Sequence, residues 1–145
     1  MNREILFRGK SFGTAEWVEG FYCGGNERKT LRPCIFVYIP DRQSYDCQDI
    51  IPETVGQFTG LYDKNGVRIW ENDILKMILK STMNPAEPPL IFIGICKFKN
   101  GSFGFSRPRA GVEVFTAFSA TFNVDFEVIG NRFDNSELLK GGNKL

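Results

Sequence analysis

The chain contains no histidine among its 145 residues. Histidine is the usual base beside serine and cysteine nucleophiles, a frequent zinc ligand and the side chain that titrates near neutral pH. Its absence removes these enzyme classes as first hypotheses and leaves carboxylates, lysine, tyrosine or a bound cofactor for any chemistry. We therefore predict a protein that is not an enzyme, with no catalytic residue, no metal site and no cofactor.

Other common signals are also missing. The four cysteines, Cys23, Cys34, Cys47 and Cys96, form no C-x-x-C pair, so we expect four free thiols in a reducing compartment. No apolar run approaches the roughly 20 residues of a membrane span, and the amino terminus shows no secretory signal, which predicts a soluble cytoplasmic protein. The net charge of +1 argues weakly against nucleic acid as a partner.

Phenylalanine is abundant, with 14 residues, and aromatic and β-branched residues favour strands. Short runs of such residues between turn-forming segments predict one all-β domain over residues 1–139, followed by a flexible tail at 140–145. The apolar run "CIFVYIP" predicts a strand that is buried on both faces or lies at an edge. The next segment, "DRQSYDCQDIIPE", predicts a loop. The alternating "FNVDFEVI" predicts a half-buried strand.

Two Asn-Gly pairs, Asn65-Gly66 and Asn100-Gly101, predict β-hairpins. The favoured type I′ turn requires positive φ at both central residues, which glycine adopts freely and asparagine at little cost. Between the hairpins, the segment "KSTMNPAEPPL" carries three of the seven prolines and predicts an irregular excursion.

Two blocks, "PETVGQFTGLYDKNGVRIWENDIL" and "FEVIGNRFDNSELL", resemble the phage and prophage YopX-like family. The opening "ILFRGK…EWVEG" is similar to the start of that family, so the resemblance covers nearly the whole chain. Asn72 stands where the family often has glycine, which indicates a backbone role for this position. The resemblance implies a small SH3-like β-barrel, to which the Asn-Gly pairs add extra hairpins. It also implies a mobile-element origin, a bacterial host and no established activity. The segment "FDNSELL" predicts a short C-terminal helical turn, because Asp134, Asn135 or Ser136 can serve as its N-cap.

The segment "KFKNGSFGFSRPR" mixes basic and aromatic residues, as grooves for single-stranded nucleic acid do. Small β-barrels bind oligonucleotides on such hairpins. Alternating aromatics also form cores, and isolated basic residues also lie on solvated faces, so both interpretations stay open. The candidate nucleic-acid contacts are Lys97, Lys99, Phe103, Phe105, Arg107 and Arg109.

The segment "ETVGQFTG" is polar and glycine-rich for a core strand. Its glycines permit close approach of a neighbouring strand, a bulge or a ligand. Trp70 is a candidate interface anchor, because tryptophan combines a large apolar surface with a polar N–H group. The candidate interface or ligand residues are Glu53, Gln57, Thr59, Trp70 and Glu71.

Three carboxylates, Asp63, Glu71 and Asp73, could supply an acid/base pair or a magnesium site. Each lies next to a turn, where acidic residues also serve the backbone.

These observations give three functional hypotheses. The first is a non-enzymatic interaction module of a phage or prophage that binds an unidentified protein partner and forms homo-oligomers through its strand edges. The second is a nucleic-acid-binding accessory protein that uses the hairpin around Asn100-Gly101. The third is a carboxylate-dependent enzyme centred on Glu71.

Overall fold

The computed structural model describes residues 1–24 and 32–141, and most of its regular secondary structure there is antiparallel β-strand. Its one α-helix is short and C-terminal, as the sequence predicts. In chain order the elements are β1 Phe7–Lys10, β2 Trp17–Cys23, β3 Cys34–Ile39, β4 Ser44–Asp49, β5 Gly56–Tyr62, β6 Arg68–Trp70, β7 Asp73–Leu79, β8 Leu90–Lys99, β9 Ser102–Arg109, β10 Val112–Ala117, β11 Val124–Asn131 and α1 Glu137–Gly141.

The chain forms two compact units, Met1–Gly60 and Leu61–Leu145. The single domain over 1–139 stays a prediction. Residues 142–145, which make up most of the predicted tail, lie outside the described residues. The polar segment "CGGNERKTLR" predicts a loop, and its residues 25–31 also lie outside the described residues.

The sheet of the first unit has the order β4-β3-β2-β1-β5, and β6 follows β5 in the same order. An isolated bridge between Ser11 and Ile50 also connects the end of β1 to the residue after β4. One face of this sheet is buried around Ile35 and Ile50, which are 0% and 2% exposed. Gly9 is required there, because a Cβ at this position would overlap the Ile50 side chain. The core of the first unit therefore lies on one face of its strands.

The segment "DRQSYDCQDIIPE" is not the loop that we predicted. Its central part forms β4, which pairs with β3 along six residues from Cys34 to Ile39. A 3-10 turn at Pro40–Arg42 and a left-handed Gln43 (φ 50°) reverse the chain between the two strands. The segment is polar because β4 lies at the edge of the sheet and exposes nearly all of its side chains.

The second unit contains a five-stranded sheet with the order β10-β9-β8-β7-β11. Its core cluster includes Leu75, Cys96 and Phe105, and two side chains of β11, Phe126 and Val128, pack against it. The half-buried strand predicted from "FNVDFEVI" is confirmed from Val124 onward, since β11 turns Phe126 and Val128 toward the core. Phe122 lies before β11 and is 80% exposed, so the prediction is wrong for that residue.

The two Asn-Gly pairs form different turns. Asn100 (φ 52°) and Gly101 (φ 81°) both have positive φ, which confirms the predicted type I′ hairpin between β8 and β9. At the first pair only Gly66 has positive φ, at 79°, so the type I′ prediction is wrong there. The Gly66 N–H donates to the Asp63 carbonyl at 3.0 Å, as in a type I turn followed by a left-handed glycine.

The all-β class is confirmed, whereas the SH3-like barrel is not. In residues 1–24 and 32–141 the strands form two antiparallel sheets and no closed barrel. Asn72 has φ 74°, which confirms the backbone role expected where the family often has glycine.

Candidate functional site

A carboxylate on the next strand, β10, forms ion pairs with both lysines of the predicted basic hairpin. The Nζ atom of Lys97 lies 2.7 Å from Oε1 of Glu113 on β10, and the Nζ atom of Lys99 lies 3.5 Å from Oε2 of the same carboxylate. The Ser106 hydroxyl donates a third hydrogen bond to Glu113, at 2.5 Å. The hydrogen bond from Lys97, followed by that from Ser106, lowers the pKa of Glu113 to about 2. A phosphate would therefore compete with a resident carboxylate for these lysines.

The remaining basic residues of this hairpin lie on the opposite face of the sheet. Lys97 pairs with Gly104 and Lys99 pairs with Ser102, and directly paired residues lie on the same face of a sheet. Side chains alternate along β9, so Arg107 and Arg109 project from the opposite face. Arg107 places its guanidinium carbon 4.1 Å from the centre of the Phe92 ring. The basic residues of the segment therefore form no single basic groove.

The candidate phenylalanines of the hairpin are mainly structural. Phe105 is 1% exposed and its ring lies 5.8 Å from that of Phe126, so it belongs to the core. Phe103 is partly buried and meets the exposed Phe98 edge-on at 5.0 Å. Of these rings, Phe98 is the one that solvent reaches most freely, and Phe105 is closed to a base or any other ligand.

Asp63 serves the backbone of the second unit. Its Oδ1 atom accepts N–H groups from Asn65 at 2.8 Å and Val67 at 2.9 Å, and its Oδ2 atom accepts the Val128 N–H at 2.9 Å. Burial raises the pKa of this carboxyl, but the three N–H donors outweigh burial and the net direction is downward. Asp63 therefore ties its own turn to β11.

The other two carboxylates of the predicted set do not form a metal centre with Asp63. Asp73 is 1% exposed and accepts the backbone N–H of Trp70 at 2.7 Å, while Glu71 is half-buried. In the described part of the chain no group of three or more histidine, cysteine, aspartate or glutamate side chains is placed to hold a metal ion.

The candidate interface residues are scattered. Glu53 is exposed in a 3-10 turn, and Gln57 and Thr59 are half-buried on β5 of the first unit. Trp70 belongs to the second unit and is 4% exposed, so its side chain is closed to a partner. Gly60 has φ 82° and open space around its Cβ position, so its backbone angle, and not close approach, requires glycine.

A different surface, which the sequence analysis missed, exposes aromatic rings in the first unit. Phe21 on β2 is 52% exposed and stands opposite Phe36 on β3, which is 38% exposed. Tyr38 and Tyr45 face each other across β3 and β4 and are 50% and 54% exposed. Side chains alternate along a strand, so these four rings share one face, opposite to the buried Ile35. We call these four residues the aromatic surface.

Three rings of the aromatic surface, those of Phe21, Tyr38 and Tyr45, are in contact, and all four rings line a groove. The ring centre of Tyr45 lies 5.8 Å from that of Phe21 and 5.3 Å from that of Tyr38. The groove has a volume of about 340 Å³ and is lined by all four rings together with Leu6 and Glu19. It lies where the pairing between β2 and β3 ends, at Phe21 and Phe36. A volume of this order is within the range of small-ligand sites.

Gly20 allows the strands to approach at this groove. A Cβ on Gly20 would overlap the carbonyl oxygen of Phe36 and lie 3.1 Å from Cγ2 of Ile35. The glycine is therefore required by close approach of β3, not by an unusual backbone angle.

Three of the four free cysteines border the aromatic surface. Cys23 stands opposite Cys34 across β2 and β3, and Cys47 stands opposite Phe36 across β3 and β4. Cys23 and Cys47 are exposed, and Cys34 is buried. Burial, followed by a hydrogen bond with Cys47, raises the pKa of Cys34 to about 12, so this thiol stays protonated at neutral pH.

The sequence contained one signal for the aromatic surface. In "CIFVYIP" the residues Phe36 and Tyr38 are spaced two apart, as one face of a strand requires. The intervening Ile35 and Val37 are also apolar, so the run does not indicate which face is buried.

A family model described as YopX protein matches residues 6–140. The chain belongs to the YopX family. The match includes both the aromatic surface and the hairpin with Lys97 and Lys99, so both regions lie within the part of the chain that the YopX family model covers. No protein with a curated description matches it significantly.

One solved structure shares the fold of this YopX-family chain. The crystal structure of protein EF1440 from Enterococcus faecalis aligns with a TM-score of 0.54 and 21% sequence identity. The alignment covers 95% of this chain and 99% of that protein. At this identity the likeness concerns the fold alone.

None of the helical residues in the described ranges belongs to a helix that is long and apolar enough to cross a bilayer.

Proposed function

We propose that the chain is a non-enzymatic interaction module that binds a protein partner through the aromatic surface. The observation that carries this proposal is the groove of about 340 Å³ that Phe21, Phe36, Tyr38 and Tyr45 line together on one face of the first unit. Single exposed apolar residues are ordinary, whereas a contiguous group of them is typical of an interaction site.

The residue types of the aromatic surface suit a protein interface. Tyrosine offers a large apolar ring with a hydroxyl at its tip, and it loses little conformational entropy when it is buried. Tyrosine and phenylalanine are enriched at the centres of protein interfaces. Tyr45 contacts both Phe21 and Tyr38, so the rings hold one another in place before a partner arrives.

Nucleic-acid binding through the hairpin around Asn100-Gly101 has less support. The Glu113 carboxylate forms ion pairs with Lys97 and Lys99. Arg107 and Arg109 project from the opposite face of the sheet. An enzyme centred on Glu71 also has less support, because Asp63 and Asp73 bind backbone N–H groups.

Further predictions from the family resemblance accompany this proposal. They are an SH3-like barrel, a phage or prophage origin and action in the cytoplasm of a bacterial host. Homo-oligomers through strand edges also stay a prediction; the terminal strands are β4 and β6 in one sheet and β10 and β11 in the other.

The proposal is tested by quantitative affinity capture from the bacterial host with the wild-type chain and the double variant Tyr38→Ala/Tyr45→Ala. Phe122→Ala is the matched control, because Phe122 is 80% exposed and lies in the second unit. Any protein that the wild type and the control enrich, and the double variant does not, is then purified and titrated by calorimetry. We expect binding to weaken at least about tenfold in the double variant. A purified protein that binds wild type and double variant equally would refute the proposal.

A further inference from the structure

Three thiols lie on one face of the first unit's sheet, beside the aromatic surface. Cys23 stands opposite Cys34 across β2 and β3, and Cys47 stands opposite Phe36, two residues along β3 from Cys34. Side chains that stand opposite one another, or two apart along one strand, project from the same face. Cys34 is therefore the middle member of a row, with one exposed thiol on each neighbouring strand.

The backbone hydrogen bonds show how Cys34 faces its neighbours. The Ile50 N–H donates to the Pro33 carbonyl at 3.0 Å, so these two residues form a hydrogen-bonded pair between the β4 and β3 sides. Hydrogen-bonded and non-hydrogen-bonded pairs alternate along antiparallel strands, so the next pair, Cys34 with Asp49, is not hydrogen-bonded. Cys34 therefore directs its N–H and C=O groups toward β2 and forms a hydrogen-bonded pair with Cys23.

The directly opposite pair meets the backbone requirement of a disulfide. Hydrogen-bonded antiparallel pairs hold their Cα atoms about 5.5 Å apart, and disulfides span Cα distances of about 4.4–6.8 Å. Cys47 is a diagonal neighbour of Cys34, and diagonal neighbours lie about 7–8 Å apart. The thiols of Cys34 and Cys47 share a hydrogen bond, but a bond between their sulfurs would require the strands to move. The backbone therefore favours Cys23 as the disulfide partner of Cys34.

The three thiols differ in their access to solvent. Cys23 and Cys47 are exposed and can meet a reagent, whereas Cys34 is 7% exposed. Burial is the largest cause of the raised pKa of Cys34, and a buried protonated thiol reacts slowly with an oxidant in solution. An exposed thiol therefore reacts first, and Cys34 reacts with a neighbour that has already been oxidised.

We propose that Cys23 and Cys34 are a modification site at which a small-molecule disulfide, such as oxidised glutathione, converts the two thiols into an intrachain disulfide. The Cys23 thiolate attacks one sulfur of the reagent, whose S–S bond breaks, and the first small thiolate leaves. Cys34 gives its proton to that thiolate and attacks the Cys23 sulfur, which releases the second small thiolate. This second thiolate takes up the proton that Cys23 lost on ionisation. Two protein thiols are oxidised, and one small disulfide is reduced to two thiols.

The site adjoins the aromatic surface and is reversible. Cys23 and Cys34 lie two residues from Phe21 and Phe36 along their strands, on the same face, so oxidation adds a covalent cross-link at one end of that surface. Exposed disulfides are among those that small thiols reduce readily, and Cys23 is exposed. The inference goes beyond the proposed function and does not depend on it, because its test uses the purified chain without a partner.

The test is disulfide mapping by mass spectrometry. The reduced wild-type chain is incubated with oxidised glutathione at mildly alkaline pH, unfolded, alkylated with iodoacetamide and digested with trypsin without reductant. Trypsin places each cysteine in its own peptide, because arginine or lysine lies between each successive pair. We expect the linked Cys23–Cys34 peptides to exceed the Cys34–Cys47 peptides at least about tenfold. Excess reduced glutathione should return both linked thiols to the alkylated form.

Two variants of the exposed thiols form a matched pair. Cys47→Ser keeps both members of the proposed site and should form the disulfide at a rate within about twofold of the wild type. Cys23→Ser removes the outer member and should stop at a glutathione adduct on Cys47, while Cys34 stays reduced. Cys96 is 0% exposed in the second unit, so alkylation of this residue before unfolding would report a loss of the fold.

The outcomes separate the proposed disulfide from its alternatives. A linked Cys23–Cys34 pair that persists in Cys47→Ser and is absent in Cys23→Ser supports the inference. Wild-type chains that accumulate glutathione adducts while Cys34 stays reduced would overturn it. A predominant Cys34–Cys47 disulfide would also overturn it, as would a covalent dimer on non-reducing electrophoresis. Linkage that excess reduced glutathione leaves intact would refute the reversibility.

Discussion

Two regions, the β8–β9 hairpin and the aromatic surface on β2, β3 and β4, differ in the structure from what their amino-acid composition indicates about burial and binding. Composition favours a binding groove in the hairpin, yet Phe105 is in the core and Glu113 holds Lys97 and Lys99. Composition favours a buried strand at β3, yet Phe36 and Tyr38 are exposed. The difference teaches that the burial of a ring and the neighbours of a charge, not composition, decide whether such a segment can bind a partner.

The largest expected difference in stability between the two regions comes from truncating one aromatic residue in each. Phe105→Ala should lower the free energy of unfolding by about 3–5 kcal/mol, because it leaves a cavity beside Phe126. Tyr45→Ala should cost at most about 1 kcal/mol, since it removes only exposed cross-strand ring contacts. Urea unfolding followed by circular dichroism measures both values. Similar losses in the two variants would mean that the two rings do not differ in burial as described.

A second substitution acts on the aromatic surface through the backbone. Gly20→Ala should lower the free energy of unfolding by about 1–3 kcal/mol, because the added methyl group meets the Phe36 carbonyl oxygen and β3 must move away. Gly13→Ala is the matched control, since nothing lies within 4 Å of its Cβ position, and it should change stability by less than about 0.5 kcal/mol. Thermal unfolding of the pair checks this. Equal melting temperatures would refute the close approach at Gly20.

The ion-pair cluster of the hairpin gives a pH-dependent prediction. The pKa of Glu113 is lowered to about 2 in the folded state, so its stabilising contribution is present above its ordinary value near 4.5. That contribution is lost as the pH falls from about 4.5 to about 2. Glu113→Gln should remove this part of the acid sensitivity, and the loss of stability between pH 7 and pH 3 should be smaller in the variant than in the wild type.

The same variant also tests the hairpin as a latent nucleic-acid site. Without the Glu113 carboxylate, Lys97 and Lys99 lose their resident counter-ion, so single-stranded DNA should bind more tightly and with a steeper salt dependence than in the wild type. Binding of a protein partner to the aromatic surface should not change. If Glu113→Gln and wild type bind the oligonucleotide equally at low salt, the Glu113 carboxylate does not limit nucleic-acid binding by the hairpin.

The sequence predicted the parts of the fold that depend on local rules. The type I′ turn at Asn100-Gly101 follows from turn chemistry, and the alternating β11 follows from side-chain period. The turn at Asn65-Gly66 departed from prediction because the Asp63 carboxylate accepts the N–H groups of Asn65 and Val67. That interaction is specified by a side chain outside the Asn-Gly pair.

The candidate site was harder to predict because it depends on which face of each strand is covered. Ile35 and Phe36 are adjacent apolar residues, yet one is 0% exposed and the other 38%. Only the packing of Ile35 against its own unit separates them, and packing of this kind is set by residues distant in sequence, such as Gly9 and Ile50. Glu113 likewise reaches Lys97 only because β10 folds back along β9, a pairing that we did not predict.

The smallest expected effect concerns the turn between β9 and β10. Ala110 (φ 50°) and Gly111 (φ 80°) both have positive φ, which alanine adopts at a cost that asparagine largely avoids. Ala110→Asn should therefore raise the free energy of unfolding by about 0.4–1 kcal/mol, which thermal unfolding can resolve. The substitution lies in the second unit, outside the aromatic surface, so binding of a protein partner to that surface should be unchanged. Lower stability would show that Ala110 makes a contact that outweighs its backbone strain.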